Sequence, residues 1–304
     1  MTAAEATEFP IPAAPAIRRT RPFYWSVRRE LWENRSIFMA PLIAAGVVLF
    51  GFLLGKAHPP HFEVHGAGAG AGPRQIPAEI TYEISAAVIV VAGVIAAARY
   101  CLAALVAERR DRTILFWKSL PVSDRTTVLS KLFVPMAAIP AITFVVAVAL
   151  QLVMLAVDMA LRLGAGQGPG ALWFQLDLVS EFVVLFYGLI VLALWHAPVW
   201  GWLLLVSAWS RRAAFLWAVG PPLAAAVVER LAFGSSHVSH LIRYRFIGVL
   251  GEAFAARGPG YTRISVADID LGKYLSTPGL WVGLVFAAAF IVAAIWLRRR
   301  REPL

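Results

Sequence analysis

Charge is what this 304-residue sequence has least of. Only 15% of its residues are Asp, Glu, Lys or Arg, whereas 60% are apolar, and the mean hydropathy is +0.71. An ordinary soluble domain is charged at about a quarter of its positions. The 18 acids and 28 bases present are too few to clothe a soluble surface, which excludes both a typical soluble enzyme and a disordered chain. There is one cysteine, Cys101, so neither an internal disulfide nor a cysteine-based zinc site can form. No G-x-x-x-x-G-K-[ST] is present, so the chain has no P-loop for ATP. H-E-x-x-H and G-x-S-x-G are missing too, and no residue pair reads as catalytic. The expectation is a chain with no catalytic site, no metal and no cofactor of its own.

What is there is a set of six apolar runs. A hydrocarbon core about 30 Å thick takes roughly 20 helical residues at about 1.5 Å each. The runs cover about 37–55, 84–107 (interrupted by Arg99), 132–157, 178–207, 213–231 and 279–297. The fourth is long enough to tilt or to break near Pro198. The fifth carries Pro221 and Pro222, whose missing N–H groups interrupt the backbone ladder. Membrane helices tolerate such breaks where neighbours satisfy the freed carbonyls. Residues 1–22 hold no apolar run and no cleavage pattern, so they do not read as a signal peptide. Between Phe23 and Arg35, an aromatic set (Phe23, Tyr24, Trp32) with Val27 and Leu31 shares helical spacing with Arg28, Arg29, Glu30 and Glu33. This predicts a helix lying in the membrane interface rather than crossing it. The fold class is therefore all-α integral membrane, with six transmembrane helices after an N-terminal interfacial helix.

The basic residues orient it. Eighteen Lys and Arg fall on the side of the termini, between residues 18 and 35, 109 and 131, at 211 and 212, and from 298 to 301, against eight on the other side. The excess places both termini in the cytoplasm. Topology thus accounts for the net charge of +10 without a nucleic-acid partner. The organisation is a cytoplasmic arm (1–36), a membrane domain (37–297) and a cytoplasmic tail (298–304). Residues 56–83, 158–177 and 232–278 lie outside. The first of these holds the flexible Gly66–Gly72 alternation. The last is too long to be structureless, and Phe246–Ala256 reads as a short amphipathic helix within it. His58, His61 and His65 are three imidazoles close together, a zinc- or copper-like set, but in a Pro-rich loop with no fixed helical face they read as plain polar residues.

Inside the spans, Arg99 falls about eight residues from the cytoplasmic end, roughly 12 Å deep. An Arg there either faces a translocation route or snorkels to the interface. His196 falls at a similar depth, so the two are candidates for one polar site. Asp177, Glu181 and Glu229 fall near outer ends, as a solvated rim. Gly51 and Gly55 permit close helix packing.

The most informative segment is the cytoplasmic loop 108–131, ERRDRTILFWKSLPVSDRTTVLSK. Thr113 can cap a short helix that Pro121 stops, and Ser123 or Asp124 can cap the next one. A wet loop does not ordinarily show Ile114, Leu115, Phe116, Trp117 and Leu120. Such a patch either docks on a partner or packs on the protein's own helices.

This loop resembles the one between the second and third spans of ABC-2 type transporter permeases. The matching features are Glu108–Arg109, Thr113, Leu120–Pro121–Val122–Ser123 and Lys131. The motif covers about 24 residues, and the architecture is similar over the whole chain. The resemblance implies the transmembrane subunit of an ATP-binding cassette transporter in the cytoplasmic (inner) membrane, in most members an exporter. Thr113, Leu115, Phe116, Trp117, Lys118, Leu120 and Pro121 would form the coupling helix, seated on a separate ATP-binding subunit. ATP and Mg would be held by that partner, and a second permease subunit, identical in a homodimer, would complete the unit. The competing class is an ion-coupled secondary transporter. That class needs ionisable groups near mid-span and usually repeated halves; few deep carboxylates and no repeat are visible.

Overall fold

The computed structural model describes residues 21–57, 78–110, 123–166, 177–255 and 264–300. Among these, six helices are long and apolar enough to cross a membrane, and the chain is a multi-pass helical membrane protein. The only β contact among them is an isolated bridge between Phe254 and Ile269.

Helix α1 (Pro22–Glu33) starts on a proline, whose fixed φ suits a first helical turn, and ends where Asn34 caps the Glu30 carbonyl. Helix α2 (Ser36–Ala57) is the first apolar crossing. Helix α3 (Ala78–Ala104) runs unbroken through Arg99, so that residue does not interrupt it. The chain kinks instead at Leu105 before the short α4 (Val106–Arg110). There the Ser207 hydroxyl accepts the freed Leu105 and Val106 N–H groups at 3.0 and 3.1 Å. Helix α5 (Asp124–Phe133) opens on Ser123, whose Oγ accepts the Thr126 N–H at 3.2 Å. It passes through a π-turn at Val134–Ala138 into α6 (Ile139–Gly164). Pro135 lies within that turn and Pro140 just after it, and their missing donors are what the wider winding absorbs.

The fourth crossing is two helices, α7 (Leu178–Trp195) and α8 (Ala197–Trp209), broken at His196, two residues before Pro198. Proline at the start of α8 removes the donor that would have carried the ladder across. The fifth crossing, α9 (Ala214–Phe233), is continuous despite Pro221 and Pro222, and it is the least buried of the six. It is framed by left-handed residues, Ala213 at φ 52° and Gly234 at φ 64°. The segment before the last crossing folds as α10 (His237–Ile247), α11 (Val249–Ala253) and α12 (Leu271–Ser276). The single helix expected over 246–256 is therefore divided. Gly248 ends α10, where a Cβ would come within 2.5 Å of the Tyr244 carbonyl, and Phe254 turns extended to pair with Ile269. Helix α13 (Pro278–Arg300) completes the bundle and lies close along α8. Gly201 permits that approach, since a Cβ there would stand 3.2 Å from the Ala287 carbonyl.

The long axis can be scaled from α5 and α6. From Lys131 to Gln151 is twenty residues, about 30 Å at helical rise, the thickness of a hydrocarbon core. Polar clusters mark both ends of that interval. Gln151 Nε2 donates to Glu181 (2.5 Å) and to the Tyr82 carbonyl (3.2 Å). One step beyond, buried Asp158 pairs with Lys56 (2.6 Å) and accepts the Tyr82 hydroxyl (3.2 Å). Between the ends the outward faces are apolar, as a lipid-facing surface requires (Val47, Phe50, Val91, Ile95, Val285 and Val292 are exposed).

Candidate functional site

The end of the bundle that carries α1 gathers six charged side chains. Lys131 Nζ lies 2.8 Å from Glu30 and 3.0 Å from Glu108. Arg29 Nη2 lies 3.0 Å from the same two carboxylates. Arg298 reaches Glu108 at 2.5 Å and Asp124 at 2.9 Å. The Tyr100 hydroxyl donates to the second oxygen of Glu30 at 2.8 Å. Three cations face three anions, and Glu33 joins Arg29 from the rim at 3.4 Å. Four of the six are buried, Glu30 at 1% exposed, Lys131 2%, Arg298 6% and Glu108 8%, while Arg29 and Asp124 are half-buried. Taking such groups out of water costs several kcal/mol per ion, and only near-complete pairing offsets this. The cluster therefore specifies one arrangement of helices more than it adds stability.

Its members come from α1, α4, α5 and α13. Glu108 stands just before residues 111–122, and Asp124 and Lys131 just after, so both ends of that segment are anchored to the first and last helices. Residues Thr113, Leu115, Phe116, Trp117, Lys118, Leu120 and Pro121 themselves lie outside the described residues, as do His58, His61 and His65. Among the described residues no three His, Cys, Asp or Glu gather as a metal site would require.

Helix α1 turns its charged face inward onto this cluster. Its aromatic side chains Tyr24, Trp25 and Trp32 are exposed, and the Arg28 guanidinium stacks 5.2 Å from the Trp25 ring and 4.5 Å from that of Trp32. Glu33, at the rim, has its carboxyl raised above the usual range, chiefly by burial.

No protein-family model, curated protein or solved structure matches this chain. What the chain does has to be argued from its own geometry.

Arg99 and His196 are not brought together. Arg99 is exposed and has no charged partner among the described residues, whereas His196 is buried. His196 Nδ1 lies 2.9 Å from the Leu192 carbonyl, and its ring packs near Trp200 and Phe246, each 6.0 Å between centroids. Arg99 is six residues from Leu105, and His196 is eleven from Ser207, which bonds Leu105. At helical rise those are depths of about 9 and 16 Å.

The opposite end has a staple that the sequence did not disclose. Arg245, from α10, donates to the Trp195 carbonyl and to the Gly279 carbonyl, both at 2.9 Å. Its guanidinium lies 4.7 Å over the Trp195 ring, and the Trp195 indole returns a bond to the Arg245 carbonyl at 2.9 Å. The Trp195 carbonyl is one that the break at His196 leaves without a helical partner. Arg245 thus seals the broken crossing and ties it to the first turn of α13. Tyr274 of α12 is buried beside it and donates to the Val191 carbonyl at 3.1 Å, and burial pushes its phenol up to about 12. We expect Arg245→Lys to lose about 2 kcal/mol of stability, since one ammonium cannot serve both carbonyls and the ring. Thermal unfolding and limited proteolysis across 237–276 would register this; unchanged values would show the staple to be idle. The signal available in the sequence was faint, because Arg245 counted only as one more basic residue outside the membrane.

Proposed function

We propose that the chain is the permease subunit of an ATP-binding cassette transporter of the ABC-2 type, an exporter working as a pair of permease chains with a pair of ATP-binding subunits. The observation that carries this reading is the apolar Thr113–Leu120 segment, held at both flanks by the buried charge cluster. Movement imposed on that segment by a partner would pass through Glu108, Asp124 and Lys131 to α1, α3, α5 and α13 without slack. That is the mechanical requirement of a coupling element: a rigid link between a nucleotide-driven subunit and helices with two arrangements. ATP and Mg belong to the partner.

In this reading the α1 end faces the cytoplasm, with both termini inside. Helix α1 lies in the interface, its exposed Trp25 and Trp32 among the headgroups. Helices α10 to α12 form the outer segment. An ion-coupled carrier calls for ionisable groups near mid-span. Among the described residues the buried carboxylates lie at the ends of the crossings or off them, at Glu30 of α1, Glu108, Asp158 and Asp268.

The test is co-expression with an ATP-binding cassette protein, followed by co-purification and ATPase assay in lipid. Assembly and substrate-linked hydrolysis are expected only with both present, and saturable ATP binding by the chain alone would refute the reading. Orientation is checked in the same preparation. Cys101 is fully buried. In a cysteine-free background, His237→Cys should react with an impermeant maleimide from outside and Arg211→Cys only after permeabilisation; the reverse pattern inverts the topology.

A further inference from the structure

Helix α1 has a second face, turned away from the charge cluster. Trp25, Arg28 and Trp32 are spaced three and four residues apart, so they lie in one row along it. Arg21 at the N-cap and Arg35 just past the helix continue the same spacing, and both are exposed. Glu30, two residues from Arg28 and so on roughly the opposite side at about 100° per residue, is the one buried in the cluster. Val27 and Leu31 fall on one flank of the row, Arg29 and Glu33 on the other. A helix lying in the interface with Val27 and Leu31 towards the acyl chains and Arg29 and Glu33 towards water holds the row sideways, at headgroup level. The chain that follows agrees with this depth. Phe38 and Met39, three and four residues past Arg35, are already exposed apolar side chains of the first crossing.

The two arginines in the middle of α1 are treated differently. Arg29 is matched by Glu30, Glu33 and Glu108. Arg28 is held against the Trp25 and Trp32 rings, yet among the described residues no carboxylate or carbonyl takes its N–H groups. The rings fix the plane of the guanidinium and leave its donors free. A planar fork of that kind matches the oxygens of a phosphate. Because the rings already restrict the side chain, less rotamer freedom is lost when a ligand is taken. The row carries three cations and no acid, since Glu33, the exposed acid of α1, is turned to Arg29 at 3.4 Å.

We propose that this row is a docking site for anionic phospholipid. The phosphate of one headgroup sits on Arg28, and further headgroups meet Arg21 and Arg35, each about 10 Å along the helix. Trp25 and Trp32 supply rings suited to the same level of the bilayer. A zwitterionic headgroup would bring an ammonium into a row that has no acid to receive it, so a net negative lipid such as phosphatidylglycerol is preferred. The apolar flank of Val27 and Leu31, with the first crossing directly below, matches acyl chains, which a soluble acidic partner lacks. The inference rests on α1 lying in the interface and not on the ABC-2 reading.

The experiment uses the full chain, delipidated in a neutral detergent, without any ATP-binding subunit. The probes are phosphatidylglycerol and phosphatidylcholine carrying the same fluorescent acyl chain. Phosphatidylglycerol should bind saturably and roughly tenfold or more tighter, and most of that preference should vanish in about 0.5 M salt. Arg28→Gln should weaken phosphatidylglycerol about fivefold, and adding Arg21→Gln and Arg35→Gln should bring it to the phosphatidylcholine level. Arg28→Lys keeps the charge without the fork and should lie between Arg28→Gln and the wild type. Trp25→Leu with Trp32→Leu keeps every charge but releases the guanidinium, and should weaken binding as well. Arg243→Gln, which removes an exposed arginine of α10, should bind as the wild type does. Melting in detergent alone shows that the variants fold, and Arg28→Lys decides if the others do not. Equal affinity for the two lipids, or wild-type binding by the triple arginine variant or the double tryptophan variant, overturns the proposal. So does a triple variant that keeps lipid binding but loses an ATP-binding subunit, which would make the row a protein contact. Failure of co-assembly in the wild type would leave lipid binding untouched, so the two readings fail separately.

Discussion

Replacing Glu108 by Gln is expected to lower stability by about 3–5 kcal/mol, the usual cost of stranding a buried charge. Glu108 receives Lys131 at 3.0 Å, Arg29 at 3.0 Å and Arg298 at 2.5 Å. Without its carboxylate, three cations share Glu30 and Asp124 in a place that water scarcely reaches. The measurement is the midpoint of thermal unfolding in detergent, with folded yield as a second readout. A double variant separates charge balance from packing. Glu108→Leu together with Lys131→Met removes one charge of each sign and leaves Arg29 with Glu30 and Arg298 with Asp124. Most of the lost stability should return, because an apolar replacement of a whole pair is often neutral or better. If the single Glu108→Gln variant melts like the wild type, the cluster is hydrated in practice and its role as a rigid link fails with it.

Trp117→Ala addresses the partner side of the same link. Trp117 stands in the middle of the apolar Ile114–Leu120 run, and a large ring in a docked helix is the kind of residue that dominates an interface. Loss of association of about 2 kcal/mol or more is expected, roughly 30-fold in affinity, or ATPase activity freed from transport. Lys118→Ala should do less if its charge lies at the rim. Neither residue belongs to a crossing helix, so insertion should be normal. Co-purification with the ATP-binding subunit reads the first effect, and transport per ATP the second. If Trp117→Ala and the Leu115→Ala, Leu120→Ala pair both left assembly and coupling intact, the segment would not be the coupling element. The ABC-2 reading would then lose its main support.

The six crossings were legible in the sequence because length and apolarity are local properties, and each observed helix overlaps its expected run. The Ser123 cap was legible for the same reason: it needs only a hydroxyl ahead of a helical stretch. Partners distant in sequence were not. Lys131 meets Glu30 across 101 positions and Arg298 meets Glu108 across 190. Counted along the chain, Arg298 was one of a run of tail arginines and Glu30 one charge on an amphipathic helix; nothing local marks either as buried. The sequence also suggested that the fourth crossing tilts or breaks near Pro198, but not that the break falls at His196 or that an arginine some fifty positions away closes it.

The charge cluster has a consequence for biosynthesis. Its anions are present early, in α1, α4 and the first turn of α5, and Lys131 follows soon after, but Arg298 belongs to the last turn of α13. Until that turn enters the membrane, Arg29 and Lys131 alone face Glu30, Glu108 and Asp124, and the corner is one cation short of balance. The nascent protein is held open at this corner while the intervening helices are being threaded into the bilayer. A ribosome that stops short of residue 298 releases a chain with an unmatched, poorly solvated acid, the kind of defect that surveillance proteases find by its local opening. Closure of the α1 end therefore waits on insertion of α13.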